Sequence, residues 1–113
     1  MKQPARTIRA IRAVLVTALL GIALPATAAE VTIVQKDKTF SRADLQVKVG
    51  DRVTFINADT VTHNVFSATG GQEFEIRAQE PGKSTAIRFE RPGSLLVECA
   101  IHPRMKLRVR VDP

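Results

Sequence analysis

The chain has 113 residues, of which 17 are Lys or Arg and 11 are Asp or Glu, with one Cys, two His, no Trp and no Tyr. That length allows one domain, and a single cysteine excludes an internal disulfide. The net charge of +6 would suggest a nucleic-acid or membrane-surface binder, but Lys2, Arg6, Arg9 and Arg12 all fall in an acid-free N-terminal dozen. From Ala29 onward 13 basic residues face 11 acidic ones. A near-neutral remainder without Tyr or Trp for base stacking argues against nucleic acid as a partner.

The basic dozen is followed by twelve uncharged residues, 13–24, then by Pro25 and the small residues Ala26-Thr27-Ala28. A charged start, an apolar middle and a small-residue end are the layout of a cleavable export signal. A transmembrane anchor is the alternative, yet twelve helical residues span about 18 Å against a hydrocarbon core of about 30 Å. Residues 1–28 are therefore expected to be removed, with the cut after Ala28 or one residue later after Ala29, leaving no stable membrane anchor. No Arg pair precedes the apolar run, which argues against a twin-arginine signal. The remaining domain, residues 29–113, is expected in the periplasm. A lone thiol, Cys99, in an oxidising compartment is an intermolecular bridge, an inert buried group, a nucleophile or a metal ligand.

From Val31 the pattern turns to period two, in short runs rich in Val, Ile, Thr and Phe. Candidate strands cover residues 31–34, 45–49, 52–57, 63–67, 85–89, 95–99 and 106–111. Gly50-Asp51 reads as a tight connection, and the segment Glu90-Arg91-Pro92-Gly93 as a turn. No window supports a long amphipathic helix, and residues 68–82 are expected to wrap the outside as a connection. About seven strands without internal repeats predict an all-β fold, a small antiparallel sandwich or barrel. Alternation places Leu95, Val97 and Cys99 on one face, and likewise Met105, Leu107, Val109 and Val111. Arg104, Lys106, Arg108 and Arg110 then form an outward stripe. His63 shares the face of Val65.

One constellation carries chemistry. The segment Cys99-Ala100-Ile101-His102-Pro103-Arg104-Met105 is a Cys-x-x-His-x-x-Met arrangement, and His63 is the other histidine of the chain. A thiolate, two imidazoles and a thioether suit copper, and a trigonal His₂Cys set with a weak Met is the donor set of blue-copper electron transfer. Pro103 would help hold the loop curled by fixing φ. Each residue alone has a plainer reading: His63 as a half-buried strand histidine, Met105 as core filler, Cys99 as a small buried hydrophobe. Their joint occurrence at strand ends favours the site. Zinc is a rival metal, although Met serves it poorly. A Cys–His nucleophile is a second rival, disfavoured by an inward thiol with no oxyanion-hole signature.

The segments Val47-Lys48-Val49-Gly50-Asp51-Arg52-Val53-Thr54-Phe55-Ile56-Asn57, His63-Asn64-Val65 and Cys99 to Met105 resemble the cupredoxins, in particular their plastocyanin, pseudoazurin and amicyanin branch. The short ligand loop is most similar to that of amicyanin. The resemblance implies a Greek-key β-sandwich that holds one type 1 copper ion, cycling between Cu(I) and Cu(II). It implies His63, Cys99 and His102 as equatorial ligands, Met105 as the axial one, and Asn64 as the residue whose contacts pin its strand to the ligand loop. Ala100 and Ile101 depart from the family, which often has a hydrogen-bonding residue and a Pro there.

The resemblance further implies a one-electron carrier, not an enzyme, that acts as a monomer between a donor and an acceptor redox protein. His102 would be the electron port, rimmed by Ala100, Ile101, Pro103 and Arg104. The basic stripe suggests partners with acidic surface. Alternating Arg and Lys on an edge strand would instead only block sheet-edge pairing. The alternative function is a periplasmic copper carrier or resistance protein using the same ligands without redox cycling.

Overall fold

The computed structural model describes residues 1–5, 9–24 and 27–113. Nine strands follow one another along the chain: β1 (Glu30–Lys36), β2 (Thr39–Phe40), β3 (Asp44–Lys48), β4 (Arg52–Asn57), β5 (Val65–Ser67), β6 (Phe74–Glu75), β7 (Ser84–Arg88), β8 (Gly93–Cys99) and β9 (Lys106–Asp112). They build two sheets, in the orders β2-β1-β4-β7 and β3-β9-β8-β5-β6. The result is an all-β sandwich, with no helix among the described residues.

Period-two patterning explains most of it. In β9 the outward residues Lys106, Arg108 and Arg110 alternate with Leu107, Val109 and Val111, which are 2% exposed or less. β8 repeats the pattern with Leu95, Val97 and Cys99 inward. β4 contributes Val53 and Phe55, both fully buried, so Phe55 forms the centre of the core between Phe40 and Phe74. Gly50, at φ 92°, turns the chain between β3 and β4, where a side chain would be strained.

All seven expected strands are present, and the differences have physical causes. Residues 68–82 do more than wrap the outside. They include β6, pair with β5 and send Ile76 and Gln79 into the interior, with Phe74 half-buried against the core. Two pairings are parallel, β1 with β4 and β3 with β9. The chain changes sheet after β2 and again after β3, so the strands on either side of each excursion enter their sheets from the same end. β9 is not an edge strand, since β3 and β8 flank it, so its cations do not protect an edge. On the outer face Arg108 pairs with Asp44 at 2.8 Å and Arg110 with Asp112 at 3.0 Å. Exposed pairs of this kind contribute little to stability.

The ends of β4 and β8 and the starts of β5 and β9 gather at one end of the sandwich, and the candidate site lies there. The described residues of the N-terminal segment contribute nothing to the core: Val14, Leu15, Leu19 and Ile22 are 82–95% exposed. Among the described residues no helix is long and apolar enough to cross a membrane. Arg6, Pro25 and Ala26 of the signal-like segment lie outside the described residues.

Candidate metal centre

Cys99 ends β8, and the alternation that buries Leu95 and Val97 carries its thiol inward as well. The chain then curls back, and the Met105 N–H donates to the His102 carbonyl at 3.0 Å, closing the loop before β9. Met105 is 1% exposed at the head of the inward face of β9. His63 comes from the other side of the site. It stands just ahead of β5 and exchanges two backbone hydrogen bonds with Gln79, of 3.0 and 2.7 Å. Its ring is fully buried, whereas His102 is half-buried.

Three donor atoms converge. Cys99 Sγ lies 3.8 Å from His63 Nδ1 and 3.7 Å from His102 Nδ1, and the two ring nitrogens are 3.1 Å apart. One ligand atom from each residue lies within 4.8 Å of the others, close enough to hold a single ion. The thiol also accepts the Asn64 N–H at 3.4 Å.

The orientation of His63 is set from behind. Its Nε2 lies 3.0 Å from Asp59 Oδ2, an oxygen that also accepts the Lys38 N–H at 2.9 Å. The Lys38 hydrogen bond, with help from His63 and Thr60, overrides desolvation and lowers the Asp59 carboxyl to about 2. With Asp59 taking up His63 Nε2, Nδ1 is the ring atom that His63 turns toward the other donors. Desolvation, followed by the charges of His63 and Lys38, lowers the His102 pKa and favours its neutral, ligating form. The donor set fits copper: two neutral imidazoles for either oxidation state and a soft sulfur for Cu(I). Binding would release the protons these groups carry.

Two residues with no mark in the sequence pattern hold this arrangement. Asp59 is one, and Gln79 is the other. The Gln79 side chain is 2% exposed, accepts from Gln35 Nε2 and donates to the Phe55 carbonyl at 2.9 Å, while its backbone carbonyl accepts from Asn57 Nδ2 at 2.8 Å. It ties the His63 segment to β1 and β4 of the opposite sheet. Asn64 links its segment to the ligand loop through backbone, its carbonyl accepting the Ala100 N–H at 2.9 Å. Its side-chain Oδ1 is buried without a partner among the described residues, and the side chain of Ala100 has no hydrogen-bonding group to offer.

The Asp59 shift predicts an acid effect. A folded pKa of about 2 against an ordinary 3.8 means that ionised Asp59 stabilises above the unfolded value and loses that contribution as pH falls. In metal-free protein the stability advantage over Asp59→Asn, read by urea unfolding, should shrink progressively as pH falls through that window. An advantage that stays constant with pH would show that the carboxylate charge is not its source.

The profile of a family described as copper binding proteins, plastocyanin/azurin family, matches residues 27–112. The chain belongs to this family of copper-binding proteins. Among individual cupredoxins, the chain is 30% identical over 105 residues to methylamine utilization protein MauL of Methylorubrum extorquens, covering 92% of each chain. It is 30% identical over 91 residues to amicyanin-alpha of the same organism, covering 78% of this chain and 75% of that one. A methionine-to-alanine variant of amicyanin in its Cu(I) form shares the fold, with a TM-score of 0.68 at 23% identity, covering 78% of this chain and 87% of that one. The cupredoxin fold and copper as its metal thus agree with the donor geometry.

Proposed function

We propose that this cupredoxin is exported to the periplasm, loses residues 1–28, and as a monomeric domain of residues 29–113 carries single electrons between redox proteins. The proposed copper ligands are His63, Cys99 and His102, with Met105 as the weak axial donor. Copper so held supplies one-electron chemistry between Cu(I) and Cu(II). The observation that carries this reading is the convergence of a buried thiol and two imidazoles whose orientation is already fixed. Asp59 holds the His63 ring from behind, the Asn64 N–H holds the Cys99 sulfur, and the backbone curl holds His102. A site prearranged in this way needs little reorganisation when an electron arrives or leaves.

The signal-like composition of residues 1–28 supports export, as does the exposure of the apolar side chains of residues 13–24. We read the chain as a carrier without catalysis of its own, a reading supported by its place in the plastocyanin/azurin family. The visible spectrum of the Cu(II)-loaded domain tests the function. An intense thiolate-to-copper band that bleaches and returns on reduction and reoxidation is expected. A colourless protein that still binds Cu(I) tightly would instead mark a copper carrier. Met105→Leu separates the two again: an electron carrier shifts in potential and keeps copper, whereas a carrier dependent on the thioether loses Cu(I) affinity.

His102 serves as the electron port, with Ala100, Ile101, Pro103 and Arg104 exposed around it. Ile101 is 51% exposed, an apolar tip suited to close approach. Across a cleft of about 450 Å³ from residues 101–104 stands the β1–β2 turn with Asp37, Lys38 and Thr39. Two of the cations on β9 are paired on the sheet, so attraction of an acidic partner falls chiefly to Lys38 and Arg104. The double variant Lys38→Gln/Arg104→Gln should slow oxidation of the reduced protein by hexacyanoferrate about three- to tenfold at low ionic strength. Oxidation by cationic tris(phenanthroline)cobalt should not slow, and the difference should vanish in high salt. Equal slowing of both reagents would mean that the charges act on the copper site instead of on encounter.

A further inference from the structure

At the end of the sandwich opposite the metal centre, Ala29 is the residue where the exposed N-terminal segment becomes fastened to the fold. Its N–H donates to Asp51 Oδ1 at 2.9 Å, and its carbonyl accepts the Arg52 N–H at 2.9 Å. Asp51 Oδ2 accepts the Lys48 N–H at 2.8 Å. This carboxylate is 8% exposed, and the backbone hydrogen bonds from Lys48 and then Ala29 hold its pKa below the ordinary value. Among the described residues, however, no Lys or Arg side chain forms an ion pair with it. The buried carboxylate is thus held by two amides and only the more distant charge of Lys48, with no ion-pair partner in contact.

We propose that processing cuts the chain between Ala28 and Ala29, and that the new α-ammonium of Ala29 becomes the ion-pair partner of Asp51, a lock present only in the mature protein. The proposal rests on the export reading above, with its cut after Ala28, and goes beyond it by giving the new terminus an ion-pair partner in the fold. In the cut, a signal peptidase adds water across the Ala28–Ala29 peptide bond. The acyl side leaves as the Ala28 carboxylate, and the Ala29 nitrogen takes up a proton to become ammonium. That nitrogen is the atom already placed 2.9 Å from Asp51 Oδ1. Cutting one residue later would delete it. The charged groups around the pair are Glu30 on β1, Lys48 on β3, Arg52 on β4, Arg88 on β7 and Asp112 on β9. They are the same before and after processing, so comparison of matched forms isolates the ammonium.

The sign of the pH dependence follows from linkage. An α-amine has an ordinary pKa of about 7.7–8.0, and an adjacent carboxylate raises it in the folded state. The lock therefore contributes fully below the ordinary value and is lost as pH rises through the raised one. The experiment expresses the full chain in a Gram-negative host and reads the intact mass and N-terminal residue of the exported product. A product beginning at Ala29 is expected. One beginning at Glu30 overturns the lock while leaving export intact, and an uncleaved chain overturns the export reading and the proposal with it. The Tm of the product is then compared with that of a sample acetylated at its α-amine. The unmodified form should melt several degrees higher at neutral pH, with the gap closing by about pH 10, and Asp51→Asn should remove the gap at every pH. No gap at neutral pH, or one that persists in alkali, overturns the proposal.

Discussion

Replacing Cys99 with Ser is expected to abolish the intense visible band of the Cu(II)-loaded protein and to lower Cu(I) affinity by orders of magnitude. Ser is nearly the same size, and the buried position at the end of β8 keeps its backbone pairing with Val65, so the fold should survive. The change is in the donor. A hydroxyl oxygen replaces a soft sulfur, and oxygen is a poor match for Cu(I). Comparing the spectrum and copper stoichiometry of the variant with circular dichroism checks this. Retention of the band would exclude Cys99 as its source.

Gln79→Leu is expected to combine a large loss of stability with a displaced copper site. The substitution strands the Gln35 amide donor and the Phe55 carbonyl, both in the interior, where Gln35 Oε1 already lacks a partner. Each buried group left unsatisfied costs about 1–3 kcal/mol. The expected total of about 2–5 kcal/mol is a large part of the 5–15 kcal/mol typical of a domain. Because Gln79 also pairs with the His63 backbone, the surviving folded protein should show an altered copper spectrum and a shifted potential. Urea unfolding and voltammetry measure the two effects separately. A loss of stability with unchanged spectrum and potential would reduce Gln79 to a purely structural role.

The strands were legible because their burial follows a two-residue period, as in β9, where each inward position is apolar and each outward one charged. The three converging donors were legible because the lone Cys and both His stand at the places where strands meet loops. Polar residues whose burial is decided by distant segments were not. Gln79 sits among Glu80, Pro81 and Gly82, a context that reads as surface turn, and only the approach of β1 and β4 buries it. Asp59 reads as an ordinary loop acid until the Lys38 N–H and His63 reach its carboxylate. The β1–β2 hairpin was hidden for another reason. Its turn residues Asp37 and Lys38 adopt φ 52° and 56° without a glycine, and a two-residue hairpin turn is usually announced by Asn-Gly or Asp-Gly.

The parallel pairing of β3 with β9 joins residues as far apart in the chain as Asp44 and Arg108, 64 positions. Such a contact cannot form locally, and its closure entropy must be met before it stabilises anything. Folds dominated by pairings of this span take about milliseconds to seconds to form. The five-stranded sheet is complete only when the last strand is in place, and that strand follows directly on the loop carrying Cys99, His102 and Met105. The thiol therefore stays open to oxidants throughout the search for the native topology. Closure of β9 onto β3 and β8 then buries the cysteine, so slowing that step would raise the yield of oxidised or cross-linked chains.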